Sequence, residues 1–276
     1  MRLRIIALIF LLSMLVMASF LELTLYERGP GTPGEKSPNG MNGFFSFAVY
    51  YGGIVDPKVI DYLNSFNMVI LQPWAFNSSE LSQIKALKIA YIDLGEFDNG
   101  SSNCSVDLRA VQIGYDSMWN QPVVNVSSPV WQSYVICEVR SAIKEGFQGV
   151  LFDDLDVAEQ YPSVRAGIVE VIRDVRQLYP SAYIGVNRGF SLIQNISPYI
   201  NFVLFEDYGT QVEAPGRVTF VQNISSIYAV TAMIKRYNLT LLALAYAQSP
   251  GDFYYRFSYS LARSEGVPLY VTNWDV

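Results

Sequence analysis

Gly146-Phe147-Gln148-Gly149-Val150-Leu151-Phe152-Asp153-Asp154-Leu155-Asp156 carries three signals in one short stretch. Gly146, directly after Glu145, is a helix stop. Gly149–Asp153 is apolar until its last residue, the pattern of a strand buried on both faces of a parallel sheet. The carboxylates then arrive together where that strand should end. Upstream lies the helical pattern of Pro129–Glu145 and downstream that of Ser163–Leu178, closed by Tyr179-Pro180. A strand flanked by helices in this way is the unit of a parallel α/β fold.

The alternation continues in both directions. Apolar runs at Phe45–Tyr51, Met68–Leu71, Leu87–Asp93, Ala182–Asn187, Phe202–Glu206, Leu241–Tyr246 and Pro268–Thr272 bring the candidate strands to eight, Gly149–Asp153 being the fourth. Further helical patterns fall at Pro57–Phe66, Ser79–Ala86, Thr219–Tyr237 and Tyr254–Ser264. Eight strands in one unit predict closure into a (β/α)8 TIM barrel. An open doubly wound sheet is disfavoured, because no G-x-G-x-x-G or Walker loop follows the first strand. The pattern ends just after the eighth strand, so the last outer helix is expected to be absent. The connection Gly95–Val130 is unusually long, and a loop of that length is expected to be functional or disordered.

Before the barrel, Arg2 and Arg4 precede the apolar run Ile5–Leu21, the pattern of a signal peptide or signal anchor over residues 1–26. A Gly/Pro-rich spacer over 27–43 follows, and the barrel is expected over 44–276. Asn77, Asn99, Asn103, Asn125, Asn195, Asn223 and Asn238 each open an N-x-S/T sequon. Together these features predict a glycoprotein that is secreted or anchored to the outer face of the cell membrane, touching the bilayer only through its N-terminal segment. In that compartment Cys104 and Cys137 are expected to form a disulfide, tying the long connection to the next helix.

Composition narrows the chemistry. The chain has no histidine, which removes His-based triads, His metal sites and imidazole acid–base catalysis. Its 19 Lys and Arg against 25 Asp and Glu provide no basic face for nucleic acid. In a barrel, chemistry sits where strands run into the following loops. The candidates there are Gln72-Pro73-Trp74, Asp93-Leu94-Gly95-Glu96, Asp153-Asp154-Leu155-Asp156, Asn187-Arg188, Glu206-Asp207-Tyr208, Tyr246 and Asn273-Trp274-Asp275. Glycoside hydrolysis requires two carboxyl groups flanking the scissile bond, one as proton donor and one as nucleophile or base. Asp153 and Glu206, at the ends of the fourth and sixth strands, are the candidate pair. Asp93, Glu96, Asp154, Asp156 and Asn187 are candidates to orient a polysaccharide substrate, and Tyr51, Trp74, Tyr246 and Trp274 to stack on its rings. Asp156 and Asp207 also suit helix capping. Asp153–Asp156 could instead bind a hard cation, although no spaced ligand loop is present. No metal or cofactor is called for. The rival reading is a catalytically silent glycan-binding or envelope protein on the same barrel.

Four segments carry a family likeness: Tyr50-Tyr51-Gly52, Ala90-Tyr91-Ile92-Asp93-Leu94-Gly95-Glu96, Gly146–Asp156 and Phe202-Val203-Leu204-Phe205-Glu206. In these the chain resembles glycoside hydrolase family 114, the endo-α-1,4-polygalactosaminidase-like barrels. The resemblance implies that Asp153 and Glu206 occupy the catalytic positions. It also implies endo-cleavage of α-linked galactosamine or N-acetylgalactosamine polymers.

Overall fold

The computed structural model describes residues 45–98, 104–214, 217–221 and 223–273. The N-terminal segment and spacer, Trp274, and the sequons at Asn99 and Asn103 lie outside the described residues. Eight strands form one parallel sheet in chain order: Phe47–Tyr50, Met68–Leu71, Leu87–Asp93, Gly149–Asp153, Tyr183–Asn187, Phe202–Phe205, Thr240–Tyr246 and Leu269–Thr272. The Phe47 and Tyr270 rings meet across the seam between first and eighth strands, with centroids 6.0 Å apart. The fold is the (β/α)8 barrel expected.

Strand periodicity sorts the side chains. Phe47 and Val49, Met68 and Ile70, Ile89, Leu151, Phe202 and Leu204, and Leu242 and Leu244 pack together inside the barrel. Their alternates, including Ala48, Val69, Leu71, Ala90, Val150, Phe152, Val186, Val203 and Ala243, pack outward in the core shared with the helices. Successive side chains of a strand point to opposite faces, so two apolar faces need continuously apolar strands. Each large side chain so buried contributes about 1.5–3 kcal/mol.

The helix Pro129–Glu145 buries Trp131, Val135, Val139 and Ala142 along one stripe and ends at Gly146, whose φ of 115° is easily reached only without a Cβ. The helix Arg165–Leu178 does the same with Ile168, Val171, Ile172 and Val175. Cys104 and Cys137 are disulfide-bonded, with a Cα–Cα distance of 6.0 Å, so the long connection is pinned to the helix as expected. Among the described residues, no helix is long and apolar enough to cross a membrane.

Two corrections concern the connections. Within Gly95–Val130, expected to be functional or disordered, the chain forms an antiparallel hairpin, Gln112–Asp116 with Gln121–Val124. A second hairpin pairs Thr210–Ala214 with Arg217–Phe220. The helix expected over Thr219–Tyr237 therefore begins only at Ile224. Val218 turns from the hairpin into the barrel core, so the apolar residues there serve a strand.

Candidate active site

The register that fills the barrel also builds its mouth. Continuing the inward positions by two residues from Val49, Ile70, Tyr91, Leu151, Gly185, Leu204 and Leu244 leads to Tyr51, Gln72, Asp93, Asp153, Asn187, Glu206 and Tyr246. All seven line one cleft of about 930 Å³. Asp93 and Asp153 are direct partners across the third and fourth strands. The sequence thus places a ring of polar side chains on top of an apolar plug.

Glu206 is held on both oxygens. Asn187 Nδ2 donates to its Oε2 at 2.5 Å, and the Tyr246 hydroxyl donates to its Oε1. Desolvation, followed by the neighbouring Asp207, raises the Glu206 pKa, and the Tyr246 and Asn187 bonds oppose the rise. Desolvation and then Glu206 raise Asp153 to about 6, against bonds from the Asp154 N–H, Asn187 and Tyr91. The Asn187 amide therefore serves both carboxyls of the candidate pair. Glu206 is the charged group that most raises Asp153, so the two carboxyls do not ionise independently.

A second acidic group sits beside this pair. The Tyr91 hydroxyl donates to Asp93 Oδ1 at 2.7 Å, and desolvation raises Asp93 to about 7. Desolvation, then Asp153, Asp93 and Glu96, push Asp154 well above the carboxylate range. The contact between Asp93 and Asp154 lowers the pKa of the former and raises that of the latter. Desolvation, then Asp116, Asp93 and Asp153, raise Glu96 to about 7. Gly95 permits this crowding, since a Cβ there would stand 2.1 Å from the Asp154 carbonyl oxygen. Tyr51 stacks obliquely on Tyr91 with centroids 4.4 Å apart.

Asp156 and Asp207 are not side-chain helix caps. Arg188 bridges them, with Nε 2.8 Å from Asp156 and Nη1 2.9 Å from Asp207, and Asp156 Oδ1 also accepts from the Gly189 N–H. Arg188 is the only cation among the described residues lining the cleft, which also include Asp98 and Asp116. The residues just after the fourth, fifth and sixth strand-end groups, Asp154, Arg188 and Asp207, all have left-handed backbones, with φ of 59°, 54° and 61°. Three adjacent strands thus turn sharply behind Asp153, Asn187 and Glu206, a form of strain that recurs at functional sites.

Trp74 stands apart, lining an adjoining cavity of about 300 Å³ that shares Gln72, Tyr91, Asp93, Glu96 and Asp98 with the cleft. Trp274 lies outside the described residues. Sequence reasoning missed Tyr91 as a site residue, although its spacing of two from Asp93 places it on the same face. The hairpin residues Tyr115 and Asp116 in the cleft wall were also missed. Among the described residues, no group of three or more Asp, Glu or Cys side chains is arranged to hold a metal ion.

The family model for glycoside-hydrolase family GH114 matches residues 75–260. Among solved structures, the chain is similar to the glycoside hydrolase domain of PelA from Pseudomonas aeruginosa. That likeness has a TM-score of 0.70 and 20% identity, over 84% of this chain and 96% of that one. Aspergillus fumigatus Ega3, solved in complex with galactosamine, aligns with a TM-score of 0.65 and 11% identity over 84% and 92% of the two chains. An α-galactosidase from Thermus thermophilus, in complex with p-nitrophenyl α-D-galactopyranoside, aligns at 0.52 and 11% over 81% and 57%. A search of curated proteins finds no match. At these identities the structural likenesses establish the barrel.

Proposed function

Since the chain belongs to glycoside-hydrolase family GH114, we propose that it cleaves α-linked galactosamine or N-acetylgalactosamine polysaccharide outside the cytoplasm, with Asp153 and Glu206 as its catalytic pair. The observation that carries this reading is the shared environment of the two carboxyls. They end the fourth strand and follow the sixth, share the Asn187 amide, and are both raised by burial, with Glu206 further raising the proton affinity of Asp153. A pair holding one proton supplies what the reaction consumes: a carboxylic acid to protonate the departing glycosidic oxygen, and a carboxylate to attack the anomeric carbon or activate water. Tyr246 and Asn187 fix the Glu206 carboxylate, so little reorganisation is needed when positive charge develops on the sugar.

The cleft's unmet polar demand supports an amino sugar. Glu96 Oε2 and Asn187 Oδ1 are buried acceptors with no protein partner, in a cleft where carboxylates far outnumber cations. Ammonium has three donors and no acceptor, so a free amine suits this lining better than an additional hydroxyl. The exposed sequon residues Asn77, Asn195, Asn223 and Asn238, together with the disulfide, support an extracytoplasmic protein, either secreted or held at the outer membrane face.

The test is to incubate the purified protein, and an Asp153→Asn/Glu206→Gln double variant, with α-1,4-linked galactosamine and N-acetylgalactosamine polymers. Oligosaccharide release by the wild type alone is the expected result. Binding without release in both proteins would overturn the reading and leave a glycan-binding barrel.

A further inference from the structure

The hairpin Gln112–Val124 is a built part of the cleft. Its second strand pairs with the segment that carries Glu96: Val124 N–H donates to Gly95 O at 3.0 Å, Phe97 N–H donates to Pro122 O at 3.0 Å, and Glu96 bridges Val123. Gly114 lies against the hydroxyl end of Tyr161, which a Cβ there would have to displace. The tip is equally fixed. Asp116 Oδ1 accepts from the N–H groups of Met118 (2.6 Å) and Trp119 (3.1 Å), and the Tyr115 hydroxyl donates to Asn120 Oδ1 at 2.6 Å.

This well-braced tip nonetheless holds Tyr115, Met118 and Trp119 at 54%, 52% and 51% exposure. All three line the same cleft as Asp153 and Glu206. Large apolar side chains fixed in solvent at the rim of a polar groove are the signature of a binding surface. An aromatic ring there offers a flat face to the apolar face of a galacto-configured sugar, and attracts its ammonium substituent if it has one.

We infer that the hairpin tip, through Trp119 with Tyr115 beside it, is a distal subsite that holds a sugar residue of the substrate chain beyond those at the two carboxyls. The inference rests on the glycosidase reading and extends it, making this protein selective for long chains. The occupant follows from continuity, because the tip and the carboxyls are walls of one cavity of about 930 Å³, large enough for several sugar rings.

The experiment compares wild type, Trp119→Ala and Trp119→Phe on long α-1,4-galactosamine polymer and on a trimer too short to span the cleft. For Trp119→Ala, kcat/KM on polymer is expected to fall roughly tenfold through KM, with kcat little changed, and Trp119→Phe should recover most of it. The ratio of polymer to trimer efficiency should fall by the same factor. Equal losses on both substrates, or no loss on either while the wild type is active, would overturn the subsite and leave the glycosidase reading standing. A wild type that releases nothing from either substrate would overturn both.

Discussion

Replacing Glu96 with Gln should make the protein more stable at pH 8 and leave its stability unchanged near pH 4. Glu96 is 8% exposed, its Oε2 has no hydrogen-bond partner, and desolvation with three neighbouring carboxylates raises it from 4.5 to about 7. The folded state therefore keeps a proton that the unfolded chain releases above pH 4.5. A raised carboxyl of this kind lowers stability progressively as pH climbs from about 4.5, and the loss is complete above about 7. A rise from 4.5 to about 7 corresponds to about 3 kcal/mol. Water entering the open cleft screens part of this, leaving about 2 kcal/mol. Glutamine keeps the shape, removes the charge and offers an N–H to the carboxylates around it. Thermal unfolding of both proteins from pH 4 to 8 should show curves that meet at the acid end and separate upward, with the variant some 4–8 °C higher at pH 8. A difference independent of pH, or a variant less stable at pH 8, would refute the reasoning. The same substitution should raise KM on an amine-bearing polymer, since the buried acceptor is then altered.

Asp153→Asn and Glu206→Gln, made singly, should each lower kcat by about 10²–10⁴-fold while the variants still bind the polymer, as read by reducing-sugar release and a pull-down on insoluble glycan. Because the pair works with one proton, kcat/KM should decline as pH rises beyond the upper apparent pKa of the pair, in the region of 6 or above given Asp153 at about 6. Tyr246→Phe removes a donor that favours ionised Glu206, so the descending limb should move to higher pH; a move to lower pH would contradict the assigned bond. Reducing Cys104–Cys137, which closes a 33-residue separation, should cost roughly 3–4 kcal/mol by chain entropy, seen as a lower melting temperature with reductant.

The barrel was legible in the chain because a strand buried on both faces has little choice of residues. Met68–Leu71 and Gly149–Asp153 are apolar up to their ends, Leu87–Asp93 is so but for Lys88, and the structure begins and ends those strands at the same residues. The mouth was legible for the same reason: polar groups at the ends of apolar strands have only the cleft to face. The hairpins were not. Gln112–Asp116 is largely exposed and carries Gly114, and Gln121–Val124 carries Pro122, so neither shows the alternation of a half-buried strand. Pairing with Gly95–Phe97 makes this hairpin, a tertiary contact that local pattern does not encode. Thr219 and Phe220 read as the start of a helix because an apolar run has no period until its partner is known. The engagement of Asp156 and Asp207 by Arg188 was hidden similarly, since three loops must converge before the ion pairs exist.

The sharp turns behind Asp153, Asn187 and Glu206 divide the rim into two kinds of position. At the strand-end residue almost any side chain can be presented to the cleft without disturbing the backbone. At the next residue the backbone admits few: glycine and asparagine would be accommodated readily, whereas valine, isoleucine and threonine would not. An effort to redirect this barrel toward another sugar should therefore keep Asp153, Asn187 and Glu206 for the chemistry and vary other strand-end positions of the cleft, such as Tyr51 and Gln72. It should also leave Asp154, Arg188 and Asp207 as the hinges from which those three side chains hang.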